Sequence, residues 1–167
     1  MLDLFFQKNS KTIVSSKSKD KTYLPIIASF MLVMFFVPFE YILFGRTLNP
    51  VLFGIGITIC LLATFIRVKG QLDLKNGFST RIEKQEGHEL VTTGLYGLIR
   101  HPLYLAIILF MVGSCLMLSA QFSWIVALVC IFTLKVRIDR EEEFLSQNFE
   151  GYKAYQQRTK KIIPFVW

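Results

Sequence analysis

The 167-residue sequence predicts an all-α, multi-pass membrane helical bundle of about four transmembrane helices, including a helical hairpin in its C-terminal half. Three observations predict it. Hydrophobic residues make up 53% of the chain, sixteen of them Phe, against 19% charged, a balance far from that of soluble globular domains. The apolar residues fall in long uncharged runs, and the basic residues collect between those runs. At this length one domain is expected, so a single membrane unit over residues 23–167 follows a basic leader at 1–22.

The leader carries five lysines and lacks an apolar h-region ahead of a small-residue cleavage site, so the first span is expected to direct insertion itself. Residues 23–44 hold one charge, Glu40, near their end, and 22 residues cross about 30 Å of hydrocarbon as a helix. Asn49-Pro50 is a helix-start signal, and the run behind it is uncharged as far as Arg67, giving a second span over 50–67. From Pro102 to Leu134 no residue is charged. As one helix this stretch would measure about 50 Å, too long for a single crossing. It is therefore expected to fold back at Ser119-Ala120-Gln121, with spans at 102–118 and 122–137.

The basic residues test this arrangement independently. Five Lys precede the first span, Arg46 alone lies between the first two, six Lys/Arg lie between Arg67 and Arg100 inclusive, and seven follow from Lys135. Four spans with both termini and the central loop in the cytosol satisfy the positive-inside bias at each segment. The net charge of +7 raises nucleic acid as a partner, but no nucleic-acid module is present and the charge forms no stripe. Cys60, Cys115 and Cys130 lie inside apolar runs with no CxxC spacing and no neighbouring His, so they read as packing residues and no metal site is expected.

Two polar clusters abut the spans. The first, His88 to Tyr104, contains both histidines of the chain together with Gly94 and Gly97, and Pro102 suits the first turn of a helix. A membrane-interface anchor explains Arg100 and His101, and an aromatic belt explains Tyr96 and Tyr104. The concentration of His and Gly favours a ligand-binding loop. In the second cluster Arg137 and Glu141 share a helix face four residues apart. An intrahelical pair is worth only about 0.2–0.5 kcal/mol, and the acid-first order is the better one, so stability is a poor reason for it. Glu141, Glu142 and Glu143 repel one another where hydrocarbon ends, which calls for a cationic partner or ligand.

HELVTTGLYGLIRHPLYL (His88–Leu105) and RIDREEEFL (Arg137–Leu145), followed by Tyr152, Tyr155 and the IPF at 163–165, resemble the motifs of the isoprenylcysteine carboxyl methyltransferase family, over about residues 76–167. The resemblance implies a methyltransferase that uses S-adenosylmethionine (SAM) bound in a cytosol-facing pocket, its cofactor region spanning 76–104 and 137–167. It implies a lipophilic acceptor that enters from the bilayer, typically the C-terminal carboxylate of a prenylated cysteine. Carried over position by position, His88, Leu90, Val91, Tyr96, Arg100, His101, Pro102, Tyr104 and Glu141 would meet the cofactor. Arg137 would hold the acceptor carboxylate and act with Glu141 as the catalytic pair. The contracted Phe149-Glu150-Gly151-Tyr152 spacing and the few N-terminal spans depart from the family pattern. The acceptor alternatives are a phospholipid amine or a small thiol. A non-enzymatic carrier or scaffold and a sterol-reductase-type enzyme are the readings from other classes; only Glu40 is available as an intramembrane charge for the first, and no dinucleotide fingerprint supports the second.

Overall fold

The computed structural model describes residues 23–74, 90–149 and 151–163; the leader, His88, Glu89 and the IPF beyond Ile163 lie outside them. Among the described residues the elements are helices α1 (Tyr23–Leu43), α2 (Pro50–Leu74), α3 (Pro102–Met117), α4 (Ser123–Asn148) and α5 (Tyr152–Arg158), with one 3-10 turn at Gly94–Gly97 before α3. By length and composition α2 is able to cross a membrane, whereas the apolar stretches Phe30–Leu43 and Pro102–Met117 are shorter.

Local chemistry sets the helix ends. Asn49 Oδ1 accepts from the N–H groups of Val51 (3.0 Å) and Leu52 (3.2 Å), satisfying two of the orphan donors at the start of α2. Pro102 opens α3, where its missing N–H loses nothing. The chain reverses over Leu118–Phe122, and Ser119 takes a left-handed backbone there (φ 52°). At the start of α4 the donors are met from another helix: Glu40, buried in α1, accepts from the N–H groups of Gln121 (2.6 Å), Phe122 (3.1 Å) and Ser123 (2.8 Å) and from the Ser123 hydroxyl (2.5 Å). The one charge in the first apolar run is thus a cap for the hairpin's second arm.

Helix α2 lies most extensively against α3, and small residues make that approach possible. A Cβ at Gly56 would stand 2.6 Å from the Gly113 carbonyl oxygen, and one at Gly113 2.7 Å from Cys60 Sγ. On the other side of α3 the core joins α1, α3 and α4 through Val33, Val37, Met111, Cys115, Cys130 and Leu134. None of the three cysteines is in a disulfide among the described residues, and Cys115 and Cys130 are fully buried. The outward faces are apolar: Phe35 is 71% exposed, Phe65 63% and Phe132 66%. A surface of that kind is stable only when something other than water covers it.

Candidate active site

At the end of the bundle where α2 stops and α3 starts, the loop around Gly94–Gly97 is held at three points. Asp73, in the last turn of α2, accepts from the Leu95 N–H (2.9 Å) and pairs with Lys69. Gly94 has a positive φ (63°), and a Cβ there would collide with the Asp73 carboxylate, so both backbone and space require glycine. The Tyr155 hydroxyl donates to the Tyr96 carbonyl (2.6 Å), tying the loop to α5. Beyond α5 the chain runs parallel to the loop: Arg100 N–H donates to the Lys160 carbonyl (2.8 Å) and His101 N–H to that of Lys161 (3.0 Å).

Beneath this loop sits Glu142, 6% exposed. Its Oε1 accepts from Arg100 Nε at 2.6 Å and lies 3.2 Å from His101 Nε2; its Oε2 is 3.4 Å from both Gln156 Nε2 and Lys161 Nζ. Burial alone would raise the Glu142 carboxyl, but hydrogen bonds from His101 and Arg100, with their charges, hold it at about 2. Arg100 also donates through Nη1 to the carbonyls of Gln156 (3.1 Å) and Thr159. Lys161 bonds Asp139 (2.8 Å); although burial opposes its charge, Asp139 and Glu142 raise its pKa. Burial raises the Tyr152 phenol, and it pushes Tyr155 up to about 12.

A second chain of groups runs beside this one. Arg137 Nε donates to the Tyr104 hydroxyl (2.6 Å), which donates to Glu141 Oε2 (2.7 Å). The His101 and Tyr104 rings are 5.6 Å apart, so the two networks adjoin. Tyr104 and Glu141 are partly open, whereas Arg137 is buried. The result is a partly exposed carboxylate linked through a phenol to the buried guanidinium of Arg137 on α4.

Of the residues singled out in the sequence, Arg100, His101, Pro102, Tyr104, Arg137 and Glu141 lie together at this end, with Tyr96 buried in the loop and Leu90 and Val91 half-buried before it. His88 lies outside the described residues. The cation that the Glu141–Glu143 run calls for is supplied within the chain, to Glu142, by Arg100 and Lys161. The sequence marks Glu142 only as part of the glutamate run, with no role in the site, and does not mark Asp73, Gln156 or Thr159. For Glu142 a signal was present: it continues the buried stripe Ser123, Ala127, Cys130, Leu134, Ile138 at helical spacing.

Comparison with known proteins rests on the segment that builds this site. The family model described as "Isoprenylcysteine carboxyl methyltransferase (ICMT) family" matches residues 55–147, more than half of the chain. The chain belongs to that family. Among ICMT relatives, protein-S-isoprenylcysteine O-methyltransferase B of Arabidopsis thaliana is 33% identical over 115 residues, covering 66% of this chain and 58% of the relative. The Tribolium castaneum protein-S-isoprenylcysteine O-methyltransferase is 32% identical over 124 residues, covering 68% of this chain and 42% of its own. The match thus takes in little more than half of the length of these ICMT proteins, or less. The solved structure of a eukaryotic intramembrane Ras methyltransferase, ICMT, superimposes with a TM-score of 0.64 at 26% identity, over 93% of this chain and 55% of that one.

Proposed function

We propose that the protein is a membrane-embedded, SAM-dependent methyltransferase that methylates the carboxylate of a lipophilic acceptor, the prenylated cysteine of its relatives being the first candidate. In this reading α1, α2, α3 and the apolar part of α4 are four spans, and the loop end with both termini faces the cytosol. The apolar outward faces and the intramembrane relative support the placement. The observation that carries the function is the Arg137–Tyr104–Glu141 chain at the end of the apolar bundle.

The donor set fits the cofactor. Glu141 offers a partly exposed anion to a sulfonium, Leu90 and Val91 offer apolar side chains, and the Tyr104 hydroxyl lies between Glu141 and Arg137. When bound, SAM supplies an activated methyl group; the remaining tasks are alignment and exclusion of water. Arg137 is always charged, and its buried position makes it a fixed anchor for an acceptor carboxylate. Such a carboxylate is ionised at neutral pH, so no strong base is required of the chain. The Tyr104 hydroxyl keeps the Arg137 Nε and Glu141 Oε2 positions in register. Arg100, Glu142 and His101 hold the loop closed over the site and act by positioning.

The experiment is SAM calorimetry on the detergent-purified protein together with transfer of labelled methyl from SAM to a prenylated cysteine. Wild type is expected to bind SAM, Glu141→Ala to bind it more weakly, and Arg137→Ala to bind it while losing carboxylate methylation. Failure of folded wild type to bind SAM would refute the methyltransferase reading. Binding with label appearing only in amine lipids or thiols would move the acceptor to those classes.

A further inference from the structure

The inward stripe of α2 has one member that packing does not explain. Its buried residues are Gly56, Ala63 and Gly70, at helical spacing. A Cβ at Gly56 would strike the backbone of Gly113 and Met117, and one at Gly70 would touch the side chains of Leu103 (3.0 Å) and Pro102 (3.7 Å). The stripe therefore follows α3 back to its first turn, at the loop end of the bundle. Arg67 stands on it, four residues beyond Ala63 and three before Gly70, and is partly buried. An arginine that only anchors a helix at the headgroups snorkels from an outward face. Lys69 is 47% exposed and already paired with Asp73; Arg67 has neither property.

The charge of Arg67 reaches the candidate site. Burial raises the Tyr96 phenol, the charges of Glu141, Tyr155 and Asp73 add to the rise, and that of Arg67 opposes it. One loop phenol is thus flanked by an anion from α4 and a cation from α2. Among the described residues Arg67 forms no ion pair or hydrogen bond of its own. The acids of this end are engaged elsewhere: Asp73 by Lys69 and the Leu95 N–H, Glu142 by Arg100 and Lys161, Glu141 by the Tyr104 hydroxyl. A guanidinium is a planar fork that matches a carboxylate. SAM carries a carboxylate besides its sulfonium, and in a pocket that excludes water such a group needs a cation. Arg100 is spent on Glu142 and the carbonyls of Gln156 and Thr159, and Arg137 is taken by the acceptor.

We propose that Arg67 binds the carboxylate of the amino-acid part of SAM, while Glu141 faces the sulfonium. The inference rests on the methyltransferase reading given above and deepens it: α2 supplies a cofactor-binding side chain in addition to packing against α3. The two charges then fix the cofactor at both ends of its amino-acid chain, which sets the direction in which the methyl points.

The test is calorimetry on the full chain in detergent with two probes, SAM and decarboxylated SAM, which keeps the sulfonium and the amine. Wild type is expected to bind SAM about tenfold more tightly than decarboxylated SAM. Arg67→Gln should lose that preference by weakening SAM alone, with its ligand-free Tm unchanged because no partner within the chain is lost. Arg67→Lys keeps the charge without the fork and should retain part of the preference. An equal loss of both probes, as a loop-positioning role would produce, would overturn the assignment. So would unchanged SAM binding with a raised KM for the prenylated cysteine, which would give Arg67 to the acceptor carboxylate. Folded wild type that binds neither probe would refute the methyltransferase reading and this inference together. Wild type that binds SAM with a preference surviving in Arg67→Gln would refute this inference alone.

Discussion

Glu40 and Glu142 are both buried carboxylates on helices, 1% and 6% exposed, and they are satisfied in opposite ways. Glu40 is held mainly by backbone N–H groups of one turn, whereas Glu142 is held by Arg100, His101, Gln156 and Lys161, side chains that come from the loop, α5 and the segment after it. Backbone donors are present whatever the side chains do, so Glu40 fixes the hairpin end as a rigid corner. The loop end depends on charged groups that converge only when three separate segments are in place.

The comparison breaks most visibly if Glu142 is removed. Glu142→Ala leaves Arg100 buried without its counter-charge and is expected to destabilise the protein by about 3–5 kcal/mol, read as a fall in Tm and in protease resistance of the loop. Glu40→Gln keeps one carbonyl acceptor for the α4 amides and should cost about 1–3 kcal/mol, less than the same change at Glu142. Equal losses from Glu40→Gln and Glu142→Gln would erase the distinction drawn here.

Acid sharpens it. A carboxyl whose pKa is depressed from 4.5 to about 2 on folding contributes stability that is fully present above 4.5 and is lost as pH falls toward 2. Thermal stability measured across that window should decline in wild type and decline less steeply in Glu142→Gln. Tyr155→Phe gives the smallest effect, about 1 kcal/mol, because only the hydrogen bond to the Tyr96 carbonyl is lost. Hydrogen exchange at the amides of the 3-10 turn would show whether the loss is local.

Much of this was legible in the sequence, for a physical reason. Uncharged runs mark apolar helices directly, Asn49-Pro50 and Pro102 mark helix starts, and the Arg100-His101 and Arg137–Glu141 motifs mark one end of the bundle. Contacts between distant segments were not legible. Glu40 read as a charge near the end of an apolar run, because nothing local says that the turn 81 residues later leaves three amides needing an acceptor. Glu142 was hidden between two other glutamates, of which Glu141 shares the Arg137 face and so drew the attention. Asp73 reads as an ordinary helix-end acid until Gly94 is seen folded against it.

The parallel pairing of Ile99 with Lys160 also bears on how the protein is made. Arg100 has to wait for Thr159, 59 residues further along the chain, before its buried donors are satisfied. During synthesis the apolar helices can therefore enter the bilayer while the loop is still open, and the loop closes as one of the last events of biogenesis. A chain truncated before residue 159 keeps the residues of the α3–α4 hairpin and the Glu40 that caps it, but lacks the carbonyl that Arg100 needs.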